Sequence, residues 1–346
     1  MGEKSMTRVR FGVIYDFRKV PGSKISMPDL YEQSLDQAER IDDLGYDHVW
    51  LTEHHFVDDG YLPSPLTVSG ALAARTRNVM IGQDVLLLPH YHPVRLAEDL
   101  AVLDNLSRGR MMLGVGMGYV PAEFAALGSN RNQRLSRMEE GLDILELAWR
   151  EERFDYDGKR YRLSDVRIHP RPVQAGGPPT WIAAMSEAGA RRAARRGAHL
   201  LPQGDRAAVL DPFLEDVGEG GEERRIGIVR HFLVTEDAGL RAAFQDRKSV
   251  FTDDSYISKK YQEWFAQIDD AMTHQLAQGE EHGRTIPQST FAGDPDECIR
   301  EIESFTREFS ITDVVLAGWG TPSGDDPTAS TSNLERFARE VMPHFR

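Results

Sequence analysis

The sequence VRFGVIY (Val9–Tyr15) is a short apolar, β-branched run, and a helical pattern follows it. Ser26 is suited to cap the start of that helix, and Gly45 is suited to end it. A second apolar run, HVWL (His48–Leu51), comes directly after the helix. Two such strands joined by a helix form a βαβ unit, so this stretch predicts the beginning of an α/β domain with a parallel sheet.

The same unit recurs along the chain, and eight strands are predicted in all. They cover residues 9–15, 48–51, 80–88, 111–115, 181–184, 199–201, 226–234 and 313–317. Eight strands, each followed by a helix, predict a (β/α)₈ TIM barrel, in which functional groups lie at the carboxyl ends of the strands.

Two segments depart from the barrel pattern. Residues 150–180 contain Asp157-Gly158 between alternating residues, which predicts a β-hairpin with a two-residue turn. Residues 237–289 are polar and helical, and we expect an insertion that acts as a lid, a solvated flank or a subunit contact. Since no Pro/Gly-rich linker divides the chain, a single domain over residues 1–346 is predicted.

The composition narrows the classes of partner. The chain has 346 residues with 41 basic and 55 acidic side chains, a formal charge of −14. Such a surface repels nucleic acid and anionic membranes, so a small-molecule ligand is favoured. The only cysteine, Cys298, cannot form an internal disulfide, and neither an apolar signal segment nor a membrane span is evident. We therefore expect a cytoplasmic protein.

The densest group of chemically active residues is Glu53-His54-His55, at the end of the second predicted strand. An imidazole there can transfer a proton near neutral pH, and Glu53 or another neighbour can orient it. Two strand-end histidines can also simply satisfy backbone carbonyls. The position at the catalytic end of a barrel favours the functional interpretation for His54 and Glu53.

Further imidazoles at His90 and His92, after the third strand, raise the possibility of a metal hydrolase. Apart from Asp313, the later strands offer no matching ligands, and we predict no metal site.

Glycines at 114, 116 and 118 invite comparison with a dinucleotide-binding turn. The fingerprint requires a third glycine where this chain has Tyr119, so the match fails. The glycines then serve a tight turn, the close approach of a flat ligand ring, or both. Ser186 begins a later helix after a strand, where backbone N–H groups and the hydroxyl suit a phosphate. An ordinary serine cap is the simpler alternative.

Five motifs, in order, resemble bacterial luciferase-type flavin-dependent monooxygenases. They are Gly45-x-Asp47-x-Val49-Trp50-Leu51-x-Glu53-His54-His55-Phe56, Leu87-Leu88-Pro89 followed by His92-Pro93-x-Arg95-x-Ala97-Glu98-Asp99, Leu103-Asp104-x-Leu106-Ser107-x-Gly109-Arg110, Ala193-Ala194-x-Arg196-Gly197, and Gly293-x-Pro295-x-Glu297-Cys298-Ile299. Each motif is weak alone, but their order and spacing span nearly the whole chain.

The resemblance implies a (β/α)₈ barrel that uses reduced FMN (FMNH₂), supplied by a separate flavin reductase, to insert one atom of O₂ into a small organic substrate. We also expect a homodimer. His54 corresponds to the histidine implicated in luciferase catalysis. Ser186, between Met185 and Glu187, corresponds to the phosphate-binding serine.

The resemblance also places the third strand against the flavin. Gln83, Asp84 and Val85 lie there, with a non-prolyl cis peptide expected between Asp84 and Val85. Two residues depart from luciferase: Met117 replaces an arginine that contacts the phosphate, and Gly116 replaces a reactive cysteine. These departures favour a non-luminous monooxygenase.

Two alternatives remain within the resemblance. One is an oxidoreductase that uses the deazaflavin F420 for hydride transfer without oxygen. The other is a flavin-binding protein without catalytic activity. The sequence leaves the substrate open among aldehydes, terpenes, alkanesulfonates and aromatic polyketides.

Overall fold

A computed structural model describes residues 8–19, 22–203, 207–218, 224–245, 259–260, 263, 290–317 and 327–346. The strands are β1 (Arg10–Tyr15), β2 (His48–Leu51), β3 (Met80–Gln83), β4 (Leu86–Leu87), β5 (Leu113–Gly116), β6 (Phe154–Asp157), β7 (Arg162–Val166), β8 (Thr180–Ala184), β9 (His199–Pro202), β10 (Gly227–Val234), β11 (Phe291–Gly293) and β12 (Asp313–Ala317). The helices are α1 (Met27–Asp43), α2 (Pro65–Arg75), α3 (Pro93–Ser107), α4 (Pro121–Ala126), α5 (Arg134–Arg150), α6 (Glu187–Arg195), α7 (Ala207–Val217), α8 (Ala238–Gln245), α9 (Pro295–Phe309) and α10 (Pro327–Glu340). Most of the predicted insertion at 237–289 lies outside the described residues.

The parallel strands form a ring. Two sheets have the orders β11-β10-β12-β1-β2-β3 and β4-β5-β8-β9. Single parallel bridges, Ile81 to Met111 and Leu200 to Ile226, join the edges of these sheets. With β3 and β4 sharing one position, the described strands make an eight-membered parallel ring, which confirms the predicted (β/α)₈ barrel. The extra strand β11, which was not predicted, pairs with the end of β10.

Side chains alternate between the barrel interior and the helix layer because a strand repeats every two residues. The interior is filled by large apolar side chains, namely Trp50, Met112, Trp181, Leu201 and Val315. Their neighbours along the strands pack outward against the helices in one large apolar cluster. The barrel is therefore a packed core below its mouth.

A polar network closes the amino-terminal end of the barrel. The indole N–H of Trp50 donates to Nδ1 of His48 over 2.7 Å, and His48 Nε2 lies 3.1 Å from Asp313 Oδ1. Because an indole can only donate, His48 carries its proton on Nε2. Burial raises the pKa of Asp313, but hydrogen bonds from His48 and Arg225 outweigh it and hold that pKa well below its ordinary value. In TIM barrels this end contributes to stability, and active sites lie at the opposite end.

The local signals at the first helix are confirmed. Ser26 Oγ accepts the backbone N–H of Asp29 at 3.2 Å, and Gly45 adopts a left-handed φ of +80° after the helix. Within the described part of the chain, no helix is long and apolar enough to cross a membrane.

Two predictions of local structure are wrong in detail. The third strand is split into β3 and β4 at Asp84-Val85, where the chain passes from pairing with β2 to pairing with β5. The hairpin is present, but Asp157 pairs with Arg162 and four residues form its loop. The physical reason is Glu140 of α5, whose carboxylate accepts three successive backbone N–H groups of that loop.

Candidate active site

The barrel opens at the carboxyl ends of its strands. Inward-facing side chains there are only half-buried, namely Ile14, Asp84, Val85, Ala183, Gln203, Val229, His231 and Ala317. One layer below, Trp50, Trp181 and Val315 are fully buried. Within the described residues, the mouth is therefore a cleft with mostly apolar walls, as expected for a ligand site in this fold.

His54 lies in the loop after β2 and is held at both ring nitrogens. Its Nδ1 is 2.9 Å from Glu123 Oε1, and its Nε2 is 3.2 Å from the Tyr119 hydroxyl. Because a carboxylate only accepts, Nδ1 carries the proton of the neutral ring and Nε2 accepts from Tyr119. The ring of Tyr61 packs edge-on against His54 at 4.9 Å between centroids. The imidazole is thus buried, oriented and fixed in one tautomer.

Glu123 is a candidate site residue that the sequence did not predict. It lies in the first turn of α4, which begins at Pro121, and it is only 1% exposed. The same oxygen that contacts His54 also accepts the backbone N–H of His55 at 2.9 Å. No local signal in the sequence marks Glu123, because it reaches the mouth only through the left-handed turn at Gly118 that follows β5.

Glu53 contacts other partners. Its Oε1 lies 3.0 Å from His55 Nε2 and accepts the Tyr91 hydroxyl at 2.8 Å, while Oε2 accepts the Leu87 N–H at 2.7 Å. The hydrogen bond with Glu53 raises the pKa of His55. Successive side chains of an extended segment point to opposite sides. The side chain of Glu53 therefore points away from that of His54 and contacts His55, Tyr91 and Leu87, and it is Glu123 that contacts the His54 ring.

The region between β3 and β4 contains the expected cis peptide bond between Asp84 and Val85, which confirms that prediction. The side chain of Gln83 faces away from the cleft, where it is fully buried and donates to Ser69 Oγ of α2 at 3.2 Å. Asp84 faces inward, and its Oδ1 accepts from Gln203 Nε2 of the segment after β9 at 3.2 Å.

The glycines of β5 are explained by close packing against this region. A Cβ on Gly114 would lie 1.8 Å from the carbonyl oxygen of Gln83, and one on Gly116 would lie 2.5 Å from Val85 Cγ2. Gly116 is thus needed for the approach of Val85. Its neighbour Met117 is half-buried and packs against the main apolar cluster.

Asp84 gives a prediction about pH. Burial raises the pKa of its carboxyl to about 7, and the hydrogen bond from Gln203 lowers it in part. The folded protein therefore holds a proton that the unfolded chain has lost, so stability falls as pH rises toward 7. We compare the free energies of unfolding of Asp84→Asn and wild type. As the pH is raised from 5 to 8, we expect the difference between them to shift by about 2–3 kcal/mol in favour of Asp84→Asn. Urea unfolding at both pH values measures this, and a constant difference between the two proteins would refute it.

Ser186 lies at the turn from β8 into α6. It is the N-cap, and its Oγ accepts the backbone N–H of Gly189 at 3.4 Å. Met185 is half-buried beside it, and the exposed Glu187 forms an ion pair with Arg191 at 2.8 Å. This turn therefore combines a confirmed helix cap with N–H groups that suit an anion.

The remaining histidines do not form a metal centre in the part of the chain that the structure describes. There, no group of three or more His, Cys, Asp or Glu side chains could hold a metal ion. His90 bonds through Nδ1 to Ser129 Oγ at 2.7 Å, and His92 is exposed. Phe56, the last residue of the second-strand motif, is 63% exposed.

Comparisons with known proteins identify the family of this chain. The family model for luciferase-like monooxygenases matches residues 9–312. The 4-hydroxyprotoasukamycin monooxygenase of Streptomyces nodosus subsp. asukaensis is 28% identical, over 90% of this chain and 86% of the relative. The F420-dependent glucose-6-phosphate dehydrogenase of Amycolatopsis mediterranei is 27% identical, over 90% of this chain and 94% of the relative.

A solved structure shares the fold. It is the oxygenating constituent of 3,6-diketocamphane monooxygenase from Pseudomonas putida in complex with FMN, with a TM-score of 0.74 and 20% identity over 97% of this chain and 98% of that one. Because the family model covers most of the chain and the barrel mouth holds an oriented histidine, the chain belongs to the luciferase-like monooxygenase family and is an enzyme of this type.

Proposed function

We propose that this enzyme uses reduced FMN, supplied by a separate flavin reductase, to insert one atom of O₂ into a small organic substrate. The buried His54–Glu123 pair at the barrel mouth carries this proposal, because it is a fixed acid–base group beside a cleft with apolar walls. The family includes F420-dependent members, so the use of reduced FMN rather than F420 is itself part of this proposal. We further propose a homodimer, which the mass of the native protein in solution tests.

The residues present fit a flavin mononucleotide. Val85, Ala183 and Val229 give apolar surface at the mouth, and the start of α6 gives N–H groups for a phosphate. We propose that the cofactor contacts Asp84, Val85, Gly116, Met117 and the turn Met185–Glu187. The side chain of Gln83 takes no part, because it faces away from the cleft. Since Met117 is uncharged, the phosphate would depend on Ser186 and backbone N–H groups.

Reduced FMN, when bound, supplies the electrons with which O₂ is activated. The protein supplies the rest. Glu123 holds the proton on Nδ1 of His54, which leaves Nε2 to exchange a proton on the side of Tyr119. The apolar side chains of the mouth exclude water from the reacting groups.

The assignment of Ser186 predicts the effect of a single charge. Aspartate and asparagine are both good N-caps, so Ser186→Asp and Ser186→Asn both retain the start of α6. Only aspartate places a negative charge against the phosphate, so we expect roughly tenfold weaker binding of reduced FMN in Ser186→Asp and near wild-type binding in Ser186→Asn. Anaerobic fluorescence titration measures both. Equal affinities for the two variants would remove Ser186 from the phosphate site.

Isotope labelling tests the overall reaction. The enzyme, photoreduced FMN and ¹⁸O₂ are mixed with aldehydes, terpenes, alkanesulfonates and hydroxylated polycyclic aromatics in turn. We expect a product that carries one ¹⁸O atom from O₂. Product formation that needs F420 and no oxygen would support the hydride-transfer alternative, and tight flavin binding with no effect on its reaction with oxygen would support a protein without catalytic activity.

A further inference from the structure

Asp84 is held in place from two sides of the barrel mouth. Its backbone N–H donates to the carbonyl oxygen of Leu51 at 2.8 Å, at the end of β2, and the loop that follows β2 carries His54. Its side chain accepts from Gln203, whose backbone N–H donates at 2.8 Å to the carbonyl oxygen of Ala184, just before the turn that we propose for the phosphate. Asp84 is therefore placed between that turn and the loop of His54.

The carboxyl of Asp84 faces the cleft without a charged partner among the described residues. The last residues of the neighbouring strands β2, β5, β8 and β9 are uncharged. The titratable groups elsewhere at the described mouth have their own partners: His54 is bonded to Glu123, and His231 to a backbone carbonyl. Among these residues, only burial and the hydrogen bond from Gln203 shift the pKa of Asp84. Whatever enters the cleft can therefore change the protonation of this carboxyl.

Reduced and oxidised FMN present different charges to such a carboxyl. Near neutral pH the ring system of reduced FMN is negatively charged, because its N1 has lost a proton, whereas the oxidised ring is neutral. An ionised carboxylate repels a negative ring, but a neutral carboxyl does not, and it can donate a hydrogen bond. Because burial raises the pKa of Asp84 to about 7, both forms of this carboxyl are accessible near neutral pH.

We propose that Asp84 is the residue by which the site distinguishes reduced from oxidised flavin, and that it takes up one proton when the reduced ring binds. The proton comes from solvent and forms an O–H bond on the carboxylate, and no electron is transferred in this step. The inference rests on the proposed function, because it requires reduced FMN in the cleft. Asp84 acts here on the selection of the cofactor, and His54 keeps its separate proposed role.

The proposal fixes the sign of a pH dependence. Above pH 7 the free enzyme has lost the proton of Asp84, so binding of reduced FMN must restore it and the affinity falls as the pH rises. Below pH 7 the carboxyl is already protonated, and no uptake is needed. From pH 6 to pH 8 we expect the Kd of reduced FMN to rise roughly tenfold more in wild type than in Asp84→Asn. The Kd of oxidised FMN should differ less between the two proteins.

The test counts protons and needs no turnover. Photoreduced FMN is added without oxygen to the cofactor-free enzyme at pH 8, in unbuffered solution with an indicator dye. Asp84→Asn keeps an oxygen that can accept from Gln203 and offers an N–H donor, but it does not titrate. We expect wild type to take up close to one proton more per bound flavin than Asp84→Asn, and clearly less when oxidised FMN is added.

The matched control is Glu301→Gln on α9, in the helix layer of the barrel. Burial raises the pKa of Glu301 as it does that of Asp84, but the carboxylate of Glu301 accepts the backbone N–H of Ala292 at 3.3 Å. Glu301→Gln should therefore take up as many protons as wild type when reduced FMN binds.

Equal uptake by wild type and Asp84→Asn, with reduced FMN bound to both, would overturn the role of Asp84 and leave the proposed function intact. Equal uptake by wild type with reduced and with oxidised FMN would overturn it as well, because Asp84 would then respond to any ring and not to its charge. This second comparison needs no variant. If wild type binds no reduced FMN, the proposed use of FMN is itself wrong, and the role of Asp84 is wrong with it.

Discussion

Replacing His54 with alanine is expected to slow the oxygen reaction by roughly 10²- to 10⁴-fold while reduced-FMN affinity stays near wild type. The reason is that His54, which we propose as the acid–base group, is held at both ring nitrogens at the mouth, by Glu123 and Tyr119. In the presence of a substrate, less product and more peroxide should form. Stopped-flow mixing of the FMNH₂-loaded enzyme with oxygen measures the rate, and a peroxide assay measures the loss of coupling.

The control for this prediction is His55→Ala. His55 pairs with Glu53, which in turn holds Tyr91 and the backbone of Leu87. Its loss should lower stability and flavin affinity together, in contrast to the loss of His54. An unchanged rate and product yield in His54→Ala would show that this imidazole takes no part in the reaction.

Glu123→Gln is expected to lower the same rate about 100-fold, the lower end of the range for acid–base catalysis. The glutamine carbonyl can still accept the proton of His54 Nδ1, so the ring stays in place. The negative charge is lost, however, and with it the stabilisation of the protonated imidazole that forms during proton transfer. Stopped-flow rates should be compared at equal flavin saturation, with thermal unfolding recorded beside them.

Glu53→Gln makes the same chemical change at a second buried carboxylate, whose hydrogen-bond partners are His55, Tyr91 and the backbone of Leu87. We expect it to cost stability, through weaker bonds to His55 and Tyr91, and to slow the reaction much less than Glu123→Gln. A larger rate loss in Glu53→Gln than in Glu123→Gln would restore Glu53 as the partner of His54 and refute the present assignment.

The sequence predicts the barrel well because its signals are local. Apolar runs such as Val9–Tyr15 and His48–Leu51, with caps such as Ser26, depend on residues close in the chain, and the structure has strands and a helix there. The orientation of the Gln83 side chain could also be predicted from the sequence. Successive residues of a strand point to opposite faces, so Gln83 points away from the face of Gly82 and Asp84.

The partner of His54 could not be obtained in this way. Glu123 is distant from His54 in sequence and reaches it only because α4 follows the turn at Gly118. Adjacent residues such as Glu53 and His54 suggest a contact by proximity, but strand geometry separates them. The four-residue hairpin loop could not be predicted for the same reason. Glu140, which accepts backbone N–H groups of the loop, belongs to α5 and not to the hairpin.

The most direct test of the account is an anaerobic titration of the purified enzyme with photoreduced FMN and, separately, with reduced F420, followed by admission of oxygen. We expect saturable binding of reduced FMN and weak or no binding of F420. After oxygen is admitted, the absorbance of oxidised flavin should reappear at a rate that depends on His54. Saturable binding of F420 with no binding of reduced FMN would contradict it.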